Sequence, residues 1–273
     1  MADTKITALT ELTTVDSADL VAVVDDPSGT AVTKKATAAN LVAGGSTYAK
    51  WDPEAPPSSP SAYDDEFDDD SFDTGLWTEF DPSSVLTLSE DAEGLVGSIA
   101  YDAGDDICGV FQDIPSGDFT ITTKVSLRGL HLNYLSGGIA LWQNAGSAPT
   151  TSDIQTFGIT YEGTSLSLQC QYFQDYYNFM SNMKRVNDTS WPATSYFFRI
   201  RRDGTTYNFD YSLDGKGWIR FTAGALNFTP TEFGVFANSS QTTGPPSVVW
   251  QFFRYKNSDI GQQGKLEGQK VYV

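Results

Sequence analysis

Tyr196 to Phe221 reads Y-F-F-R-I-R-R-D-G-T-T-Y-N-F-D-Y-S-L-D-G-K-G-W-I-R-F, and two Asp-Gly pairs, Asp203-Gly204 and Asp214-Gly215, cut it into three short runs. Asp-Gly favours a tight type I′ hairpin turn, because both central positions need positive φ. Between the pairs, Tyr207, Phe209, Tyr211 and Leu213 alternate with Thr206, Asn208, Asp210 and Ser212. That period of two predicts a half-buried antiparallel strand, apolar side inward and polar side wet. Phe198 and Ile200 repeat the pattern before the first turn, with Arg199 and Arg201 facing out. The stretch is a meander inside an all-β domain.

Further strands are expected on both sides of it. Val85–Ser89 and Leu95–Tyr101 flank an Asp91-Ala-Glu-Gly94 turn, followed by Ile107–Ile114, Phe119–Leu127 and Gly138–Gln143. Phe157–Tyr161 and Ser165–Phe173 pair across Glu162-Gly163, and Phe233–Asn238 and Val248–Tyr255 follow the meander. Many short strands, Gly, Asp and Pro turns and no convincing helix predict two packed antiparallel sheets. No repeat of blade length is present, which argues against a propeller.

The 273 residues suffice for one large β domain and a small extra module. No apolar run approaches the ~18 residues of a membrane span, and the N-terminus lacks the basic-then-apolar pattern of a signal peptide. The balance of 17 Lys+Arg against 35 Asp+Glu gives a net charge of −18. Such a chain repels phosphate backbones and anionic membranes, so neither nucleic-acid binding nor membrane insertion is expected. Cys108 and Cys170 both fall in expected strands. Buried free thiols fit better than a disulfide, because nothing else indicates an oxidising fold.

Residues 1–45 differ from the rest. Ile6 to Leu12 (I-T-A-L-T-E-L) precedes an apolar strand, Leu20–Val24, a turn at Asp26–Gly29 and a polar strand, Thr30–Ala36. Thr37 can cap a short helix that Gly44-Gly45 would end. One hairpin and one helical turn bury too little apolar area to stand alone, so a partner, a second copy or the main domain should cover them. Residues 46–63 are a Pro/Ser-rich linker, extended and stiff from Trp51 to Ala62. Residues 257–273 are polar and Gly/Gln-rich, a disordered tail or an arm laid on a neighbouring subunit.

The order I-T-A-L-T-E-L, D-L-V-A-V-V-D and G-T-A-V-T-K-K-A-T-A-A-N-L resembles the N-terminal module of tailed-phage fibre and other virion appendage proteins. The resemblance implies attachment to other virion proteins, with Ile6, Leu9, Leu12, Leu20, Val23 and Leu41 as the module's apolar residues, and assembly as a homo-oligomer, a trimer favoured. It places the chain on a virion, at the exterior surface or tail.

A second resemblance spans residues 64–256. An opening D-E-F-D-D-D-S-F-D-T-G-L-W is followed by G-D-F-T-I-T-T-K-V, G-G-I-A-L-W, F-G-I-T-Y, the meander, F-G-V-F-A and V-V-W-Q-F-F-R-Y. This order resembles the concanavalin-like lectin/glucanase jelly roll, a two-sheet antiparallel sandwich. The last strand then returns beside the first, placing Trp250–Phe253 near Asp65–Asp68.

Retaining glycoside hydrolysis needs two carboxylates about 5 Å apart, which the glucanases supply as E-x-D-x-x-E. No such sequence is present, and Glu90-Asp-Ala-Glu93 reads as a turn. The single histidine, His131, has no nucleophile elbow to serve, and one His with two distant Cys cannot form a zinc site. P-loop and dinucleotide fingerprints are missing too. The expectation is therefore a chain that is not an enzyme and needs no cofactor. Calcium is the one metal candidate, at Asp65, Asp68 and Asp70 in the acidic run 64–73, against the plainer reading of a solvated face.

Binding has more support. Tyr172, Asp175, Tyr176, Tyr177 and Asn178 set aromatic faces beside amides and carboxylates, a pattern that suits sugars. The same residues suit a core or a protein interface equally. Trp142 and Trp191 are further candidates for that face. The sequence supports a phage tail-fibre, head-fibre or capsid-decoration subunit that binds host glycan or neighbouring subunits. The alternatives are a carbohydrate-binding module outside any virion and, more weakly, a degenerate glycosidase.

Overall fold

The computed structural model describes residues 20–25, 32–37, 59–100, 105–128, 134–162, 165–188, 195–239 and 246–257, with backbone alone for the first two segments, Asp188 and Ser239. The chain divides into two units, Met1–Trp51 and Asp52–Val273. In the first, β1 (Leu20–Asp25) pairs antiparallel with β2 (Val32–Thr37), with Leu20 opposite Thr37 and Asp25 opposite Val32. Leu20 and Val23 lie on β1. Ile6, Leu9, Leu12, Leu41 and the short helix expected after Thr37 fall outside the described residues, as do His131, Trp191 and 258–273.

The second unit is a sandwich of two seven-stranded antiparallel sheets. Its strands are β3 (Thr78–Phe80), β4 (Leu86–Asp91), β5 (Gly94–Ile99), β6 (Cys108–Asp113), β7 (Phe119–Arg128), β8 (Leu135–Trp142), β9 (Ile154–Tyr161), β10 (Leu166–Phe173), β11 (Phe179–Asp188), β12 (Ser195–Asp203), β13 (Thr206–Ser212), β14 (Ile219–Gly224), β15 (Glu232–Ser239) and β16 (Ser247–Asn257). The first sheet runs β11-β10-β9-β8-β15-β6-β3 and the second β14-β13-β12-β7-β16-β5-β4. This is the concanavalin-like jelly roll that the sequence pattern implies. The chain closes as expected: Asp65 and Phe253 exchange backbone hydrogen bonds of 2.8 and 2.6 Å, and Trp77 Nε1 donates to Asp65 at 2.8 Å.

Alternation puts one side chain in two between the sheets. Ile121, Val125, Phe198, Ile200 and Phe209 from the second sheet meet Ile139, Phe157, Ile159, Phe233 and Val235 from the first, all buried. Phe157 packs edge-on to Phe198 at 5.0 Å and to Phe209 at 5.6 Å, locking the layers where the strands cross. Such pairs add about 0.5–1.5 kcal/mol each beyond their area burial. A second apolar cluster covers one end of the first sheet's outer face, where Phe80, Phe111, Trp142 and Phe236 pack together. Strand β8 is consequently buried on both faces along its whole length.

Several expectations need correcting. Both Asp-Gly pairs sit at turns, but not as type I′ hairpins. Asp203 pairs with Thr206, so Gly204 and Thr205 are the central residues, and Gly204 at φ 58° takes the first position, as a type II′ turn requires. The second connection is longer, running from Ser212 to Ile219, and Asp214 closes it by accepting the Lys216 and Gly217 amides at 2.9 and 2.7 Å. Leu213 therefore leaves the inward series and is half exposed. The polar side of β13 is not wet throughout: Asp210 is 2% exposed and Ser212 fully buried. Strands β3 and β11 come in addition to those expected. One expectation in this group holds: Cys108 and Cys170 are free and buried.

Candidate functional site

The outer face of the second sheet carries two adjacent cross-strand rows. In the first, Arg254 pairs with Thr122, Thr122 with Arg199, Arg199 with Asp210 and Asp210 with Arg220, across β16, β7, β12, β13 and β14. In the second, Lys256 lies opposite Thr120, Thr120 opposite Arg201 and Arg201 opposite Asn208. Directly paired residues share a face, so five basic side chains converge on one side of the sheet. They line or border a cavity of about 570 Å³, walled by Arg199, Arg201, Arg254, Lys256, Trp218, Thr120, Thr122 and the incoming Ser61 and Asp64.

Asp210 organises the floor. One of its oxygens accepts Arg199 Nη2 at 2.9 Å and Arg201 Nε at 3.1 Å; the other accepts Arg220 Nε at 2.5 Å. Burial pushes its carboxyl up, but the Arg220 hydrogen bond and the Arg199 and Arg201 charges outweigh it and hold the group below its ordinary value. Burial, with the repulsion of Arg201 and Arg220, brings Arg199 below its own ordinary value despite Asp210. The two shifts oppose each other in appearance only, since a guanidinium stays charged at any pH at which the protein folds. Arg199 lies over Trp218, its Cζ 4.0 Å from the ring centroid. Arg254 is held by Glu66, through Nε and Nη2 at 2.7 Å each. The outer rim is built by Asp64, which accepts the Tyr255 amide at 2.6 Å and the Ser61 amide at 2.7 Å.

Of the described glycan candidates, Trp142 and Tyr172 lie on the other sheet and Asp175–Asn178 in its β10–β11 turn, and they do not form one surface. Asp175 locks a turn, accepting the Asn178 amide at 2.8 Å and its side-chain Nδ2 at 2.6 Å. Tyr172 donates its phenol to Asp153 at 2.6 Å, and that bond, with burial, pushes its pKa up to about 12. Tyr176 packs on the second apolar cluster. Trp142 is in the same cluster at 0% exposure, between Phe80 at 5.9 Å and Phe111 at 6.2 Å, and offers no face to solvent. Of the described aromatic candidates only Tyr177 is half exposed, with Asn178, Phe179 and Met180 exposed beside it at the tip of the β10–β11 hairpin. Of the calcium candidates, Asp65 spends its oxygens on the Phe67 amide and Trp77 Nε1, while Asp68 and Asp70 are exposed. Among the described residues, no group of three or more His, Cys, Asp or Glu is arranged to hold a metal.

No protein-family model matches the chain, and no curated protein matches it in sequence. Among solved structures it is similar to the GH43 protein BlXynB from Bacillus licheniformis, with TM-score 0.53 and 16% identity over 73% of this chain and 40% of that one. It is similar to a xylan β-1,4-xylosidase from Bacillus halodurans C-125, with TM-score 0.52 and 16% identity over 75% of this chain and 40% of that one. The CBM2 module of the Lactobacillus casei BL23 phage J-1 evolved Dit aligns at TM-score 0.49 and 12% identity, over 72% of this chain and 96% of that one. The chain spans about two-fifths of the length of the two Bacillus proteins. At these identities the likeness is one of fold. It nevertheless corrects the expectation that the chain is not an enzyme. The same sandwich occurs in glycoside hydrolases, so the missing E-x-D-x-x-E strand does not exclude catalysis.

Proposed function

We propose that the chain is a virion appendage protein whose jelly roll binds carbohydrate on a host surface, in the groove on the outer face of the second sheet. The observation that carries this reading is the groove itself. Its volume falls in the range of ligand sites, and it joins an aromatic wall, Trp218, to hydroxyls on Thr120, Thr122 and Ser61. An indole braced on one face by Arg199 and set beside hydroxyl groups suits a sugar, which offers an apolar ring face and a rim of hydroxyls. The virion part of the reading rests on the resemblance of residues 1–45 to fibre attachment modules.

A glycan array probed with the full chain tests the binding. Trp218→Ala should lower the affinity of any retained glycan about tenfold or more, as expected for a central aromatic contact, while Tyr177→Ala at the hairpin tip should leave it unchanged. The reverse pattern would move the site to the hairpin, and a blank array would remove the reading. Assaying the retained glycan for new reducing ends reports hydrolysis in the same experiment. Deletion of residues 1–45 should abolish recovery of the protein with purified particles.

A further inference from the structure

We infer that the groove on the second sheet takes an acidic polysaccharide, one carrying carboxylate or sulfate groups along its length. The inference rests on the carbohydrate reading above and adds the ligand's charge. The chain has 17 cationic residues against 35 acidic ones. Five of the 17, Arg199, Arg201, Arg220, Arg254 and Lys256, nevertheless share one face of one sheet. The acids that bond these five or line the groove are Asp210, Glu66 and Asp64, so in the groove itself five positive charges meet three negative ones, with Asp118 and Asp203 at the strand ends beyond it. On a surface so acidic elsewhere, solubility gives no reason to gather cations in one place.

Geometry extends the argument. Neighbouring strands are about 4.8 Å apart, so the row from Arg254 to Arg220 sets positive charge along about 19 Å, four strand spacings. Asp210 accepts from three guanidiniums but balances one. The arginines therefore repel one another, which adds to the burial that lowers the proton affinity of Arg199. An anion bound above Arg199 and Arg201 would relieve that repulsion, and a guanidinium fork matches planar oxyanions. Nucleic acid fits the charge pattern less well. A duplex carries one phosphate about every 1.7 Å, and the acidic remainder of the molecule would repel what overhangs the groove. An acidic glycan spaces its charges at least a sugar apart and offers ring faces to Trp218.

The test uses the full chain in biolayer interferometry against immobilised polygalacturonate, the same polymer after carboxyl reduction, dextran sulfate, dextran and single-stranded DNA. Polygalacturonate or dextran sulfate should bind, and whichever does identifies the anionic group. Its neutral counterpart should bind about tenfold more weakly or not at all, and raised salt should weaken the complex. The double variant Arg201→Gln/Lys256→Gln should lose about tenfold in affinity; because Arg201 also pairs with Asp210, its thermal midpoint should fall, whereas Lys256→Gln alone leaves that pair intact and should weaken binding with an unchanged midpoint. If the neutral polymers bind as well as the charged ones, the charge inference fails and the carbohydrate reading stands. If no polysaccharide binds, both fail. DNA binding as tight as the best glycan, or binding indifferent to salt, would also overturn the inference.

Discussion

Asp210 joins sequence to fold and fold to site. It occupies an outward position of β13, yet it is 2% exposed because Arg199, Arg201 and Arg220 close over it. Removing one partner of a buried ion pair costs several kcal/mol. Because these guanidiniums are partly in water, Asp210→Ala should lose about 2–4 kcal/mol in urea unfolding. Its carboxyl is held below the ordinary value, so this stability is present above the unfolded pKa and is lost as pH falls through the folded one. The gap between variant and wild type should therefore narrow below about pH 4. Glu90 works in the opposite sense. It converges with Asp69 on the Ser71 amide at 3.1 Å each, and burial, with the charges of Asp65 and Asp69, pushes its carboxyl up to about 7. Folding favours its protonated form, so stability falls as pH rises between 4.5 and about 7. Glu90→Gln should match the wild-type urea midpoint near about pH 5 and exceed it at about pH 8, by about 1 kcal/mol once solvent screening is allowed for. Parallel curves at both pH values would remove this account.

At the scale of the element, strands were legible wherever one face is buried, and less so where both are. β12 and β13 alternate cleanly, and their partners read directly from the turns. β11 has the weaker pattern F-M-S-N-M-K-R-V-N-D, an edge strand with most side chains in water, and its aromatic start reads as a binding cluster instead. The basic groove was harder still. Arg-x-Arg on β12 and Arg-x-Lys on β16 are visible as alternations, but Arg254 meets Thr122 only through pairing between distant strands. Register of that kind has no local signature. The two cationic alternations, in so acidic a chain, were the one available signal. Close strand contact is equally invisible until the sheet exists. A Cβ on Gly138 of β8 would lie 2.2 Å from the Phe157 carbonyl oxygen and 2.6 Å from Gly158 Cα. Gly138→Ala should therefore cost about 3 kcal/mol, the upper end for overpacking, or prevent folding. Gly217→Ala, with its nearest atom at 3.6 Å, should be close to neutral, and the pair of thermal midpoints measures the difference.

For the whole molecule, the question is whether the two sheets open together. Cys108 on β6 and Cys170 on β10 each lie one strand in from an edge of the first sheet, on either side of its centre. Both are buried, and burial pushes both thiols well above their ordinary range, which keeps them from the reactive thiolate form. In the folded state they should resist an aromatic disulfide reagent. The sheets are keyed by Phe157 against Phe198 and Phe209, and by Phe119 against Phe233 at 5.6 Å. These contacts cross the core near both thiols' strands, so freeing one sheet edge without the other would strip buried rings from their partners. Cooperative opening follows. Both thiols should then be labelled at one rate, and that rate should rise with urea as steeply as global unfolding does. Mass spectrometry of partly labelled protein decides it: unlabelled and doubly labelled species alone support a single unit. A singly labelled population carrying Cys170 would show that β10 and β11 open independently of the rest.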